Sequence, residues 1–272
     1  MARYDFTTHR LHVEAPLSAG AILELPRAKA HYLTNVLRLP AGAEILAFNG
    51  ADGEWRCALS TGGRKTASLT ALVMTRPQPA ALELIYAFAP LKHARLDYMV
   101  QKSVEMGAGV LQPVLTRHTH VERLNVERME ANAIEAAEQC GILTLPRIAA
   151  ATRLDAFLAD WPAERFLVFC DEDAEGDPLS AFDAVKAAAA EAGIVKQPSE
   201  SLSDSLAESF AKPPSLAVLV GPEGGFDKAE RQQLLALPNV VRLSLGPRIL
   251  RADTAAVAAL ALTQAALGDW RI

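Results

Sequence analysis

Cysteine is scarce in this sequence: Cys57, Cys140 and Cys170 are the only three, far apart and without CxxC spacing. An odd, scattered set excludes a disulfide framework and points to a reducing compartment. Aromatic residues are also few, at 6%, while half of all residues are hydrophobic, so aliphatic side chains must fill the core. No stretch of about 18 apolar residues occurs, which excludes a membrane-spanning helix. Met1-Ala-Arg-Tyr-Asp-Phe has no apolar run behind its charges, so no secretory leader is expected and the expected location is the cytoplasm. Positive charge is not in excess either. The net charge of −5, taken alone, argues against a nucleic-acid partner. Its distribution is uneven: residues 1–76 hold 9 Lys/Arg against 6 Asp/Glu, and the remainder 18 against 26. A basic small module on an acidic body suits a local RNA-contacting surface, and an ordinary uneven surface explains the charge equally well.

With 272 residues the chain can form one large domain or two ordinary ones. Residues 1–76 read mostly as strand. Arg10-Leu-His-Val alternates, and Glu44–Phe48 and Glu54–Leu59 flank the turn cluster Asn49-Gly-Ala-Asp-Gly53, a hairpin signal. One helix over about Arg27–Leu37 interrupts them, and a small β-barrel is expected. After Pro77 and Pro79 the texture changes to alternating strands and helices over 77–272. Strands are expected at Leu82–Ala89, Val110–Leu115, Phe166–Cys170, Leu216–Val220 and Val240–Leu245. One helix buries Leu96, Met99, Val100 and Val104 and ends at Gly107; another is capped by Asn125 and stops at Gly141. This alternation predicts an α/β domain with a mainly parallel sheet. Residues 196–215, rich in Ser, Pro and charge, read as a flexible insertion.

Two loops carry the chemical signal. Gly221-Pro-Glu-Gly-Gly225 follows a strand, and Asp227 with Glu230 resembles a capping box opening a helix. Glycines where a parallel strand ends let backbone approach a ligand. The loop lacks GK[ST] and GxGxxG spacing, so it is no ordinary phosphate cradle, and a purely structural turn remains open. The second loop, Leu245-Gly-Pro-Arg-Ile-Leu-Arg-Ala-Asp-Thr254, leads into Ala255–Leu267, a helix so apolar that it must be buried against the sheet or a second subunit. Arg248 and Arg251 at its start either serve chemistry or pair with Asp253 and Glu223 to hold the loop. His118 and His120 form an HxH that could hold zinc, but no third ligand is near in sequence; RNA contact or surface polarity is the simpler reading. Cys140 and Cys170 sit in apolar runs and read as core.

Together, Leu219-Val-Gly-Pro-Glu-Gly-Gly-Phe226 and Leu245-Gly-Pro-Arg-Ile-Leu-Arg-Ala-Asp-Thr-Ala255 resemble the SPOUT RNA methyltransferases. Within these they are similar to the ribosomal RNA small subunit methyltransferase E family, which makes N3-methyluridine in 16S ribosomal RNA. The likeness extends over Lys92, Gln101–Gly107, Pro113–Thr119, Glu135–Gly141, Arg10–Val13 and the His31–Arg38 helix, most of the chain apart from residues 195–215. It implies a PUA-like N-terminal barrel that contacts RNA and a C-terminal trefoil-knot domain that binds S-adenosylmethionine, in a homodimer without metal. Carried over by motif position, cofactor contact falls to Leu219, Gly221, Glu223, Gly224, Leu245, Gly246, Ile249 and Leu250, with the loop after Cys170 closing the pocket. Arg3, Arg10, Arg27, Lys29, Arg38, Arg56, Arg64 and Lys65, with Lys92, Lys102 and Arg117, are the expected RNA face, on 16S RNA or the 30S subunit. Two positions depart from the family pattern: Asp253 stands where Glu is common, and Ile142 where Arg is common.

The implied chemistry needs help at the base, because a protonated uracil N3 is a poor nucleophile. A guanidinium near the ring oxygens would stabilise the anion, and Arg251, then Arg248, are the residues expected to supply it; Glu223 or Asp253 would accept the proton. Rival readings are a ribose 2′-O methyltransferase of the same fold, a non-catalytic ribosome-assembly factor that binds RNA, and a nucleotide hydrolase, which the missing Lys-Ser/Thr disfavours.

Overall fold

A computed structural model of the chain describes residues 5, 7–62, 66–92, 94–120, 123–174, 181–183, 215–268 and 270. Arg3, Arg64 and Lys65 of the expected RNA face, and the expected insertion up to residue 214, lie outside the described residues. The chain divides into two compact units, Met1–Ala81 with Ile134–Leu145, and Leu82–Ala133 with Pro146–Ile272.

The N-terminal unit holds β1 (Arg10–His12), β2 (Ile22–Glu24), β3 (Glu44–Phe48), β4 (Glu54–Thr61) and β5 (Ala67–Arg76), in the order β1-β3-β4-β5-β2. The expected hairpin is present: Phe48 pairs with Glu54, and Asn49 Oδ1 accepts the N–H groups of Ala51 and Asp52 across the turn. Register shifts within the β4–β5 pair bend the ribbon, as bulges do, and the sheet curls into a half-barrel around Leu33, Ile45, Cys57, Leu59 and Leu69. The expected helix near Arg27 is wound in two ways: α1 (Arg27–His31) passes into a π-helical turn over Tyr32–Val36, closed by the Leu37 N–H on the Tyr32 carbonyl. Arg38 then takes φ 55°, which ends the helix.

One carboxylate organises the end of this sheet. Glu54, 2% exposed, accepts Arg10 Nε at 2.7 Å, Arg76 Nη2 at 2.5 Å and Thr75 Oγ1 at 2.8 Å. Burial would raise its pKa, but the two arginines and the hydroxyl outweigh that and hold it below the usual range. Arg10 also donates to the Asp5 and Glu138 carbonyls. Its side chain is 4% exposed and committed to a buried ion pair, so the expectation that Arg10 contacts RNA is corrected.

The C-terminal unit contains β6 (Ile85–Phe88), α2 (Ala94–Glu105), β7 (Val110–Leu115), α3 (Val126–Cys140, grouped with the N-terminal unit from Ile134 onward), β8 (Arg147–Ile148), β9 (Thr152–Arg153) and α4 (Leu154–Ala159). It continues through β10 (Phe166–Cys170), β11 (Leu216–Val220), α5 (Lys228–Leu235), β12 (Val240–Leu243) and α6 (Ala252–Leu267). Every pairing is parallel, in the order β12-β10-β11-β6-β7-β8 with β9 also on β7. The α2 face expected to be buried is buried, at Leu96, Met99, Val100 and Val104. Asn125 Oδ1 accepts the Arg128 N–H at the start of α3, as its sequence position implies. Helix α6 packs on α2, β11 and β10 and buries Ala255, Ala256, Ala259, Leu260 and Thr263, and Gln264 donates to the Met106 carbonyl.

Candidate active site

Ligands of open parallel sheets bind beyond the carboxyl ends of the strands. Here β10, β11 and β12 are neighbours, and the loops that leave them line a cavity of 520 Å³ together with the start of α6. The two motif loops therefore share one cavity. Its walls include Gly221, Glu223, Gly224, Leu245, Gly246, Ile249 and Leu250 of the expected cofactor contacts, and Cys170, Asp171 and Glu172 of the third loop. Leu219 is not among the lining residues: its side chain is fully buried within the sheet core with Leu167, Phe169 and Leu234.

The glycine loop is stiff. The Gly225 N–H closes a turn on the Pro222 carbonyl at 2.9 Å, and Gly225 takes φ +66°, with Glu172 where a side chain would stand. Phe226 meets Phe169 edge to face at 5.2 Å. The expected capping box is complete: Asp227 Oδ1 accepts the Glu230 N–H at 2.8 Å and Glu230 Oε2 the Asp227 N–H at 3.0 Å. From the turn after β7, the Arg117 N–H donates to Glu230 Oε1, and His118 Nδ1 lies 3.0 and 3.1 Å from the Gly224 and Gly225 carbonyls.

The second motif loop is open by contrast. Gly246 takes φ +89° with free space beside it, and among the described residues the N–H groups of Leu245, Gly246, Ile249 and Leu250 have no hydrogen-bond partner. Arg248 lines the cavity; Arg251 stands between the lining residues Leu250 and Ala252 and is the N-cap residue of α6. Both side chains are exposed, and neither has an ion-pair partner among the described residues. The alternative in which they pair with Glu223 and Asp253 is therefore not what the loop does. Glu223 pairs with Arg95 at 3.3 Å, and Asp253 Oδ1 accepts the Thr254 N–H.

The third wall rests on an ion cluster that sequence reasoning missed. Asp171, with a side chain 2% exposed, takes Arg231 on both oxygens at 3.1 and 3.0 Å and Arg242 Nε at 2.7 Å. Burial alone would raise this carboxyl, but the two guanidinium groups overcome it and lower its pKa. Burial pushes the neighbouring Cys170 thiol up to about 12, so it stays protonated and is no nucleophile.

Of the remaining expected RNA contacts, Arg27, Arg38, Lys92 and Arg117 are exposed. Lys29 donates to the His12 carbonyl, Lys102 pairs with Glu105, and Arg56 pairs with Glu44.

The family model for an RNA methyltransferase domain matches residues 78–264, and that for an RNA methyltransferase PUA domain matches residues 25–72. The chain belongs to this RNA methyltransferase family. Curated relatives of this methyltransferase include the ribosomal RNA small subunit methyltransferase E of Rickettsia conorii, 28% identical over 93% of each chain. The Bacillus subtilis protein of the same name is 26% identical over 85% of each. Among solved structures, the Neisseria gonorrhoeae ribosomal RNA small subunit methyltransferase E bound to S-adenosyl methionine aligns at TM-score 0.76 and 25% identity, over 97% of this chain and 99% of its own. A Legionella pneumophila methyltransferase with bound cofactor SAM aligns at 0.72 and 26%, over 95% and 98%. The methyltransferase thus has the SPOUT-type α/β fold with an N-terminal PUA domain.

Proposed function

We propose that this chain transfers a methyl group from S-adenosylmethionine to N3 of a specific uridine in 16S ribosomal RNA. The observation that carries the reading is the single cavity walled by both motif loops. Its volume lies within the range of roughly 300–1,000 Å³ typical of ligand pockets. The unpartnered N–H groups of Leu245, Gly246, Ile249 and Leu250 suit the polar edge of an adenine, and the Leu245, Leu250 and Ala255 side chains suit its faces. The Neisseria and Legionella structures carry this cofactor on the same fold. Bound there, S-adenosylmethionine supplies an already activated methyl sulfonium. The residues of this chain then have three tasks: to hold the cofactor, to orient the base, and to stabilise negative charge as N3 loses its proton. Arg251 serves the last task with Arg248 beside it, since both guanidinium groups are free of protein carboxylates among the described residues. Asp253 is the better proton acceptor, because Arg95 holds Glu223 in an ion pair.

The deciding experiment incubates the protein and S-adenosylmethionine with small subunits, or with naked 16S RNA, from cells lacking the gene. N3-methyluridine in the digested product is the expected result. A ribose-methylated nucleoside would replace this reading with the 2′-O alternative, and no methylation with cofactor unbound would favour the assembly factor.

RNA contact falls to exposed cations, Arg27 and Arg38 in the N-terminal unit and Lys92 and Arg117 in the C-terminal one. Arg27→Ala and Arg38→Ala should each weaken RNA binding across sequences and reduce the log–log salt slope by about 1. A filter-binding titration that leaves the slope unchanged removes the residue from the interface. The protein acts as a homodimer in the cytoplasm; the half-exposed apolar stripe Val257, Ala258, Ala261 and Leu262 on α6 supports the dimer, and a ribosomal RNA substrate supports the location. A monomer mass in sedimentation equilibrium would overturn the dimer.

A further inference from the structure

We infer that His118 is a positioning residue for the cofactor pocket, holding the glycine loop in shape through its Nδ1–H. The inference rests on the proposed S-adenosylmethionine site and adds a residue that the motif loops do not contain. Strand β7, from which His118 follows, is separated from β11 by β6, so the contact reaches across a strand. The turn that carries it is fixed by its own bonds, the Thr116 N–H on Thr119 Oγ1 at 2.9 Å and the Thr119 N–H on the Thr116 carbonyl at 3.1 Å. From this base the Arg117 N–H engages the capping-box carboxylate of Glu230, and the His118 ring meets two consecutive loop carbonyls, Gly224 at 3.0 Å and Gly225 at 3.1 Å.

Two carbonyl oxygens converging on one ring nitrogen decide the tautomer. An unprotonated Nδ1 would set its lone pair against theirs, so the proton sits on Nδ1 and is shared between both acceptors. That shared donor fixes the planes of the two peptides following Gly224 and Gly225, where the chain has the most backbone freedom and Gly225 stands at φ +66°. The His118 Cβ also lies 3.2 Å from where a Gly224 side chain would begin, which closes that side of the loop. Gly224 and Gly225 line the cavity and His118 does not, so the imidazole acts on the ligand only through the loop.

Asparagine places an N–H donor near the position of Nδ1, whereas glutamine places one near Nε2, so the pair separates donor position from polarity. Calorimetry with S-adenosylmethionine should show His118→Ala weakening Kd by roughly five- to tenfold, the size of one lost hydrogen bond. His118→Asn should recover to within about twofold of the parent, and His118→Gln should resemble His118→Ala. In turnover assays KM for the cofactor should rise while kcat at saturating cofactor changes much less. Melting curves without cofactor identify a variant that fails to fold, and the Asn and Gln variants then decide between them. A parent-like Kd in His118→Ala, or equal loss in the Asn and Gln variants, overturns the inference. If the parent itself fails to bind S-adenosylmethionine, the site assignment falls, and that outcome is distinct from either of the others.

Discussion

Arg251→Ala should lower kcat by roughly two to three orders of magnitude, the usual loss when a donor aimed at developing negative charge is removed. Cofactor affinity should stay within about twofold of the parent, because the cavity is walled by the neighbours of Arg251 and its own side chain is no part of the lining. The backbone of Arg251 caps α6, its carbonyl accepting the Ala255 N–H at 2.8 Å, and alanine preserves that bond. The side chain has no ion-pair partner among the described residues, so truncation strands no buried charge and the fold should tolerate it. Arg251→Lys keeps the charge but loses the planar fork and should recover only part of the rate. Single-turnover rates and calorimetric Kd values measured together check this; unchanged turnover in Arg251→Ala removes the residue from the chemistry.

The second large effect is on stability. Asp171→Ala removes the buried carboxylate that two arginines share, and loss of one partner from such a cluster costs about 3–5 kcal/mol. Arg231 and Arg242 are partly exposed, at 29% and 39%, so water screens them and the lower figure of about 3 kcal/mol is expected. A fall in Tm of several degrees follows. Cofactor affinity should fall too, because Asp171 lines the cavity and its carboxylate, through Arg242, ties the third wall to β12. The pH dependence has a definite sign. The folded carboxyl titrates below its unfolded value near 4, so its contribution is complete above that value and is lost as pH falls through the lower, folded pKa. Parent Tm should therefore drop on acidification from pH 5 to 3, and Asp171→Ala should drop less steeply. Parallel slopes would show that the cluster is not what acid breaks.

Features encoded within a few residues were legible in the sequence. The Asp227–Glu230 capping box, the Asn125 cap, the Asn49–Gly53 turn and the strands Val110–Leu115, Phe166–Cys170 and Leu216–Val220 depend on local pattern, and local pattern is what a sequence displays. That the two motif loops would share one cavity was legible because the motifs occur in order. Asp171 was not, since Arg231 and Arg242 reach it from distant segments and nothing near Cys170 announces them. Arg10 was misread for the related reason that charge is visible in a sequence while burial is not; its partners Glu54 and Glu138 lie far along the chain. The π-helical turn at Tyr32–Val36 has the composition of any short helix, and strands β8 and β9, at two residues each, are too short to show a period. His118 looked like half of an HxH because its acceptors are backbone carbonyls, which carry no residue code.

The pocket has a kinetic consequence that follows from its construction. Its three walls come from segments widely spaced along the chain, and β12 docks on β10 rather than on its predecessor β11. No early, locally folded fragment can therefore own the cavity, and contacts of long sequence separation form slowly. Ligand capture during refolding should lag the recovery of helical signal, so cofactor binding reports the joining of β10, β11 and β12 rather than the maturation of one loop.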